Sequence, residues 1–186
     1  MAQQCLLIID FLNDYLDRWD PKKVVQLITQ TNKVVASFRE RGLPVIWVRT
    51  EFRADLSDAF LEMRDGAISI VIEGGRGSAL HEQLDWQATD KTIVKKRYSA
   101  FFGTDLHDYL TERGIEKILI CGINTHACIR MAAIDAYQRD LRVVLLSDCI
   151  GSYDDEHSRV SVNYMRDKIA AVTTSNEVIA SATMAM

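Results

Sequence analysis

Six short apolar runs recur along the chain: Cys5–Ile9 before Asp10, Pro44–Val48, Ile93-Val94 before Lys95, Ile118–Ile123, Val143–Leu146 before Ser147-Asp148, and Ile169–Val172. Each is continuous rather than alternating. That pattern suits strands buried on both faces, and such strands belong to parallel sheets covered by helices. Helical stretches fit between the runs. Asp20-Pro21 offers an N-cap and a proline at the first helical position. Val24, Ile28, Val35 and Phe38 then keep one face apolar until Gly42. Thr104 is placed to cap a shorter helix with Leu106, Tyr109 and Leu110, ending at Gly114. Residues 125–139 read as a third helix, with a small-residue face from Cys128, Met131, Ala132 and 134–136, and a fourth fits between Asp155 and Asp167. Strand and helix in alternation predict right-handed βαβ units in a three-layer αβα domain of the α/β class. The segment 50–91 is the least periodic, so it is expected to hold loops and short helices that cover a site.

A length of 186 residues predicts one domain, 1–186. The 48% apolar content is enough for a core, and 22 basic against 26 acidic residues, without a block of one sign, leaves no footprint for nucleic acid or a membrane surface. No apolar run approaches the length of a spanning helix. The start, Met1-Ala2-Gln3-Gln4, lacks a basic leader region. Cys5, Cys121, Cys128 and Cys149 read as reduced thiols of a cytoplasmic protein.

In open α/β sheets ligands bind beyond the carboxyl ends of the strands. That rule selects Asp10, Lys95, the turn Gly122–Cys128 and Asp148. Cys128 falls in what should be a first helical turn, where free N–H groups and the helix dipole favour thiolate, and a nearby Lys95 would add to that. Asp10 is then placed to accept the thiol proton, and the Asn124 and Cys128 N–H groups to hold an oxyanion. Each residue also has a structural reading: Asp10 as a loop hydrogen-bonder, Lys95 as a solvated charge, Cys128 as an inert small hydrophobe. The inert reading fits Cys5, Cys121 and Cys149, and Asp148 is the spare carboxylate. Gly74-Gly75-Arg76-Gly77-Ser78 matches no phosphate-binding pattern and reads as a loop. His81, His107, His126 and His157 form no zinc pair, though His126 borders the nucleophile turn. Phe11, Phe52, Tyr98 and Phe101 suit a pocket wall or the core.

Three motifs now stand in order: Leu6-Leu7-Ile8-Ile9-Asp10-Phe11-Leu12-Asn13-Asp14, the stretch from Lys95-Lys96-Arg97-Tyr98-Ser99-Ala100-Phe101 to Leu106, and Gly122-Ile123-Asn124-Thr125-His126-Ala127-Cys128. Together they resemble the isochorismatase-like cysteine hydrolases over roughly residues 5–175. The resemblance implies a Rossmann-like, six-stranded, mainly parallel sheet, and dimers or tetramers. It implies a catalytic triad of Asp10, Lys95 and Cys128, with Lys95 chosen over Lys96 because it stands three residues before Tyr98. It also implies a cis peptide at Ile123–Asn124, aiming the Asn124 N–H at the reacting carbonyl. Where nicotinamidases of this family bind a metal through Asp-x-His, this chain has Glu51-Phe52-Arg53, so no metal and no other cofactor is expected. Leu12 replaces the family's glutamine.

The expected activity is therefore hydrolysis of a small amide or ureido compound by Cys128, with Tyr98, Phe52, Phe101 and Asn124 around the substrate. A vinyl-ether hydrolase using Asp10 as acid, and a non-catalytic binding protein, are the alternatives. A phosphatase-like or receiver reading fares worse, because Leu12 stands where a second acid is needed and Lys95 where a phosphate-accepting Asp belongs.

Overall fold

The computed structural model describes residues 3–183; Met1 and Ala2, on which the leader reading partly rests, lie outside them. Six strands, β1 (Gln3–Ile9), β2 (Val45–Thr50), β3 (Lys91–Lys95), β4 (Ile115–Ile123), β5 (Arg142–Gly151) and β6 (Ala170–Thr173), form one sheet. Their order is β3-β2-β1-β4-β5-β6, and every neighbouring pair is parallel. The chain builds outward from β1 to β3, then returns to lay β4 against the other side of β1. The carboxyl ends of β1 and β4 thus flank the point where the winding reverses, which is where such sheets open a crevice.

Both faces of the sheet are covered. Leu6, Ile8, Trp47 and Leu119 pack on one side against Val24, Leu27, Ile28, Val35 and Phe38 of α2 (Pro21–Glu40). Leu7, Ile9, Ile46 and Ile120 pack on the other against Leu106 and Leu110 of α4 (Leu106–Glu112) and Ala132, Ala133 and Ala136 of α5 (Arg130–Tyr137). Burial of each large side chain contributes about 1.5–3 kcal/mol. The alanines let α5 approach closely. Asp20 accepts from the Lys22 N–H at 3.0 Å, as its place before Pro21 predicts, and Gly42 takes φ +64° at the far end of α2. Thr104 accepts from the Leu106 N–H at 3.3 Å. The remaining helices are α1 (Asn13–Leu16), α3 (Leu61–Asp65), α6 (Asp155–Met165) and α7 (Ser175–Thr183). Among the described residues no helix is long and apolar enough to cross a membrane.

The stretch read as one helix over 125–139 is two elements. Thr125–Ile129 is a single wide turn, in which the Asn124 carbonyl accepts from the N–H groups of Ala127 (3.0 Å) and Ile129 (3.2 Å), and α5 begins only at Arg130. Wide turns of this kind recur at functional sites. The aperiodic segment 51–90 is tied down by a third apolar cluster of Leu12, Phe52, Ala59 and Val71, and by bridges Leu12–Leu80 and Phe52–Ile72. Leu12 is therefore an anchor for the segment over the sheet. Within it, Gly77 faces the Asp14 carboxylate, and Asn13 Nδ2 donates to the Arg76 carbonyl at 2.9 Å. The glycine-rich stretch is a clamped loop.

Gly122, opposite Ile9 in the β1–β4 ladder, adopts φ +122°. A Cβ there would lie 2.0 Å from the Ile9 carbonyl oxygen. Gly122→Ala is accordingly expected to force β1 and β4 apart and to cost about 3 kcal/mol or more, read as a lowered urea midpoint.

Candidate active site

Asp10 follows β1 directly and takes φ +58°, a backbone conformation that Asp tolerates better than most residues. Its N–H still continues the ladder to the Val48 carbonyl (2.9 Å), so the side chain is held at the rim of the sheet. Lys95 is the last residue of β3 and pairs in register with Thr50, the last residue of β2. Cys128 hangs in the wide turn after β4. These three strand ends bring their side chains together below the surface, with Asp10 and Lys95 each only 1% exposed.

Lys95 Nζ lies 2.7 Å from Asp10 Oδ2 and 3.5 Å from Cys128 Sγ. It also donates to Thr50 Oγ1 at 2.7 Å. Asp10 Oδ1 accepts both the N–H and the hydroxyl of Thr50, each at 2.9 Å. The carboxylate is thereby oriented, with Oδ2 turned to the ammonium. Burial alone would push Lys95 down, but the Asp10 carboxylate and then Cys128 outweigh it and hold the ammonium above its usual range. For Cys128 the balance goes against the sequence expectation of a resting thiolate. Burial, then the negative charge of Asp10, push the thiol up to about 12 despite the pull of Lys95. The resting site therefore holds a protonated thiol beside an ion pair. Cys5 is pushed up to about 12 by burial alone; what sets Cys128 apart is its two charged neighbours.

The Ile123–Asn124 peptide is cis. Tyr98 is half exposed, and its hydroxyl is pushed up by burial, then by Cys128 and Tyr153. It stacks on Phe60, ring centroids 5.0 Å apart. Phe52 and Phe101, suited to wall or core, are core residues. Phe52 is buried beneath Phe60, and Phe101 lies in the main apolar cluster with Arg139 over its ring. Phe11 is likewise buried. Asp148 accepts the Ser175 N–H (2.8 Å) and hydroxyl (2.5 Å), and so fastens the start of α7. His126 Nδ1 sits 2.6 Å from Ser152 Oγ, with its ring edge-on to Tyr153. Sequence reading passed over Thr50. It lies just beyond the apolar run that ends at Val48. A tool for finding Thr50 existed in the strand-end rule, had β2 been carried through its polar Arg49-Thr50 end.

The stretch aligned with a family metal site does not fit an ion: the Glu51 carboxylate is taken by Arg49 at 2.9 Å, and Arg53 is itself a cation. Among the described residues no three His, Cys, Asp or Glu side chains gather to hold a metal. A groove of about 670 Å³ lies at the opposite end of the sheet, near Tyr137, Arg142 and Lys168, and contains none of the residues above.

The isochorismatase domain model matches residues 4–177. The chain is 32% identical over 171 residues to a probable inactive nicotinamidase of Arabidopsis thaliana, covering 87% of each. It is 29% identical over 158 residues to maleamate amidohydrolase of Pseudomonas putida, covering 82% of this chain and 73% of that one. Among solved structures, N-carbamoylsarcosine amidase from Thermoplasma acidophilum superposes with a TM-score of 0.79 at 25% identity, over 94% of this chain and 98% of that one. With the fold, the parallel order and a match over nearly the whole length in agreement, the chain belongs to the isochorismatase family, a family of α/β hydrolases.

Proposed function

We propose that the protein hydrolyses a C–N bond of a small amide or ureido compound through a thioester on Cys128. One observation carries the reading: the Lys95 ammonium, 1% exposed, touches the Asp10 carboxylate at 2.7 Å and the Cys128 sulfur at 3.5 Å. Packing has no use for such a trio. Desolvating each ion costs several kcal/mol, and apolar side chains of the same volume would often be more stable. The maleamate amidohydrolase and N-carbamoylsarcosine amidase among the similar proteins support C–N cleavage as the reaction class.

In the proposed cycle Asp10 takes the thiol proton as the sulfur attacks the carbonyl carbon. Because the thiol is protonated at rest, proton transfer and attack are coupled, and Lys95 keeps the new charge distribution balanced. The N–H groups of Asn124 and Cys128 receive the oxyanion. The proton on Asp10 goes to the departing ammonia or amine. Asp10 then draws a proton from water, which cleaves the thioester and restores the thiol. Thr50 serves as a positioning residue that holds Asp10 through Oδ1 and leaves Oδ2 to Lys95. The four free cysteines support a reducing compartment such as the cytoplasm.

The test is incubation with nicotinamide, ureido acids, carbamoyl amino acids and maleamate, with ammonia measured and the protein quenched in acid for peptide mass analysis. Ammonia release with an acyl mass on the Cys128 peptide is expected. Cleavage of an enol ether with Cys128 unmodified would replace this reading by ether hydrolysis. No turnover of any compound, together with Cys128 alkylation no faster than at the other three thiols, would make the protein a binding module.

A further inference from the structure

We infer that the outer face of α6 is a contact surface on which a second copy of this chain docks, the two helices running antiparallel about a two-fold axis. Nothing in this pairing depends on the chemistry at Cys128. Ser161 and Met165 of α6 are buried, whereas His157, Val160 and Tyr164, together with Tyr153 just ahead of the helix, stand exposed. Steps of four, three and four residues set these side chains along one line. Tyr153 and His157 share a neighbour at its start, the His126 ring, with centroids 5.0 and 6.0 Å away. Tyr153 is 72%, Val160 49% and Tyr164 48% exposed. Single exposed apolar side chains are ordinary, but an aligned stripe of them marks a contact surface. The stripe is also held in advance. Tyr153 lies edge-on to His126, His157 Nδ1 is 2.7 Å from Asp154 Oδ2, and the Arg130 guanidinium and Lys168 ammonium lie 5.2 and 5.8 Å from the Tyr164 ring centre. Little further ordering has to be paid on association.

Spacing and charge both select a second copy as the occupant. Read backwards, the stripe has the same four, three, four steps. An axis between His157 and Val160 therefore sets Tyr153 against Tyr164 of the second copy, and His157 against its Val160. A two-fold contact requires this kind of self-complementarity. Asp154, Asp155 and Glu156 make the start of the helix acidic, while Arg166 and Lys168 follow its end and Arg130 lies beside Tyr164 there. Antiparallel pairing brings each acidic end to the cationic end of the other copy, whereas parallel pairing would oppose like charges. The 11 residues of α6 span about 16 Å. Such a contact falls below the roughly 800 Å² per partner of a standard interface, so the dimer is weak and forms with rising concentration.

Sedimentation velocity of the full chain over a rising concentration series should show monomer passing into dimer. Val160→Lys sets two ammonium groups beside the axis and should raise the dissociation constant by more than about tenfold. Lysine suits an exposed helical position at least as well as valine, and the melting temperature of the dilute protein checks the fold. Tyr164→Ser, on the same stripe, is the second variant and should also weaken the dimer. Orientation is read by mixing Tyr153→Cys and Tyr164→Cys proteins, adding a short bis-maleimide and identifying the linked peptides. A link between position 153 of one copy and 164 of the other is expected. A protein that stays monomeric at every concentration overturns the inference. So does a dimer as tight in either folded variant as in wild type, or links of 153 to 153 and 164 to 164 in place of the mixed one.

Discussion

Cys128→Ala is expected to lower kcat on the amide substrate by about 10⁴-fold or more, with KM and fold nearly intact. Removal of the sulfur takes away the atom that bonds to carbon, and nothing else in the site replaces it. The ion pair survives, because Lys95 and Asp10 hold each other at 2.7 Å and Thr50 binds both. Stability should therefore change by only about 1 kcal/mol, the scale of a small core truncation. Asp10→Asn should give a loss of similar order for a different reason: an amide oxygen is too weak a base to take the thiol proton, although the side chain keeps its shape. Stopped assays of ammonia release at saturating substrate, with urea unfolding alongside, check both variants. Turnover in Cys128→Ala at more than a tenth of wild type would rule out the thioester.

Lys95→Met should damage both activity and stability. Asp10, 1% exposed, would lose the only counter-ion it has among the described residues while remaining out of water. Breaking a buried pair in this way costs about 3–5 kcal/mol. The double variant Asp10→Asn/Lys95→Met leaves no stranded charge and should recover much of that stability, but none of the activity. Urea denaturation of the three proteins separates the two effects. The raised positions of Lys95 and Cys128 also set the sign of the pH response. Both groups keep their protons in the folded state to higher pH than in the unfolded chain. Their contribution is complete below the unfolded values, about 8.5 for Cys and 10.4 for Lys, and is lost as pH rises beyond them. Wild-type stability should thus fall on the alkaline side of about pH 8.5, and Lys95→Met should lose less of its remaining stability above about pH 10.

Much of this was legible because strand ends in a parallel sheet are marked in sequence. An apolar run must be dry on both faces, so a charge that closes it is held at the rim, and Asp10 and Lys95 stood out for that reason. The same marking failed at Thr50, since β2 continues for two polar residues beyond its apolar run. It also singled out Asp148, whose carboxylate is spent on Ser175 and the start of α7. The wide turn at Thr125–Ile129 was invisible because an i→i+5 bond leaves the surrounding helical periodicity almost unchanged.

The residue order alone determined a three-layer α/β domain and its short list of reactive side chains, because periodicity and burial are local properties. Only the tertiary structure decided that β4 returns beside β1, which brings residues 118 positions apart to one crevice. It also decided the thiol's resting state. The pull of Lys95 on Cys128 was readable as a tendency, but its opposition by burial and by Asp10 depends on distances of a few ångströms in a dry interior, where electrostatic effects are strong and no spacing along the chain records them.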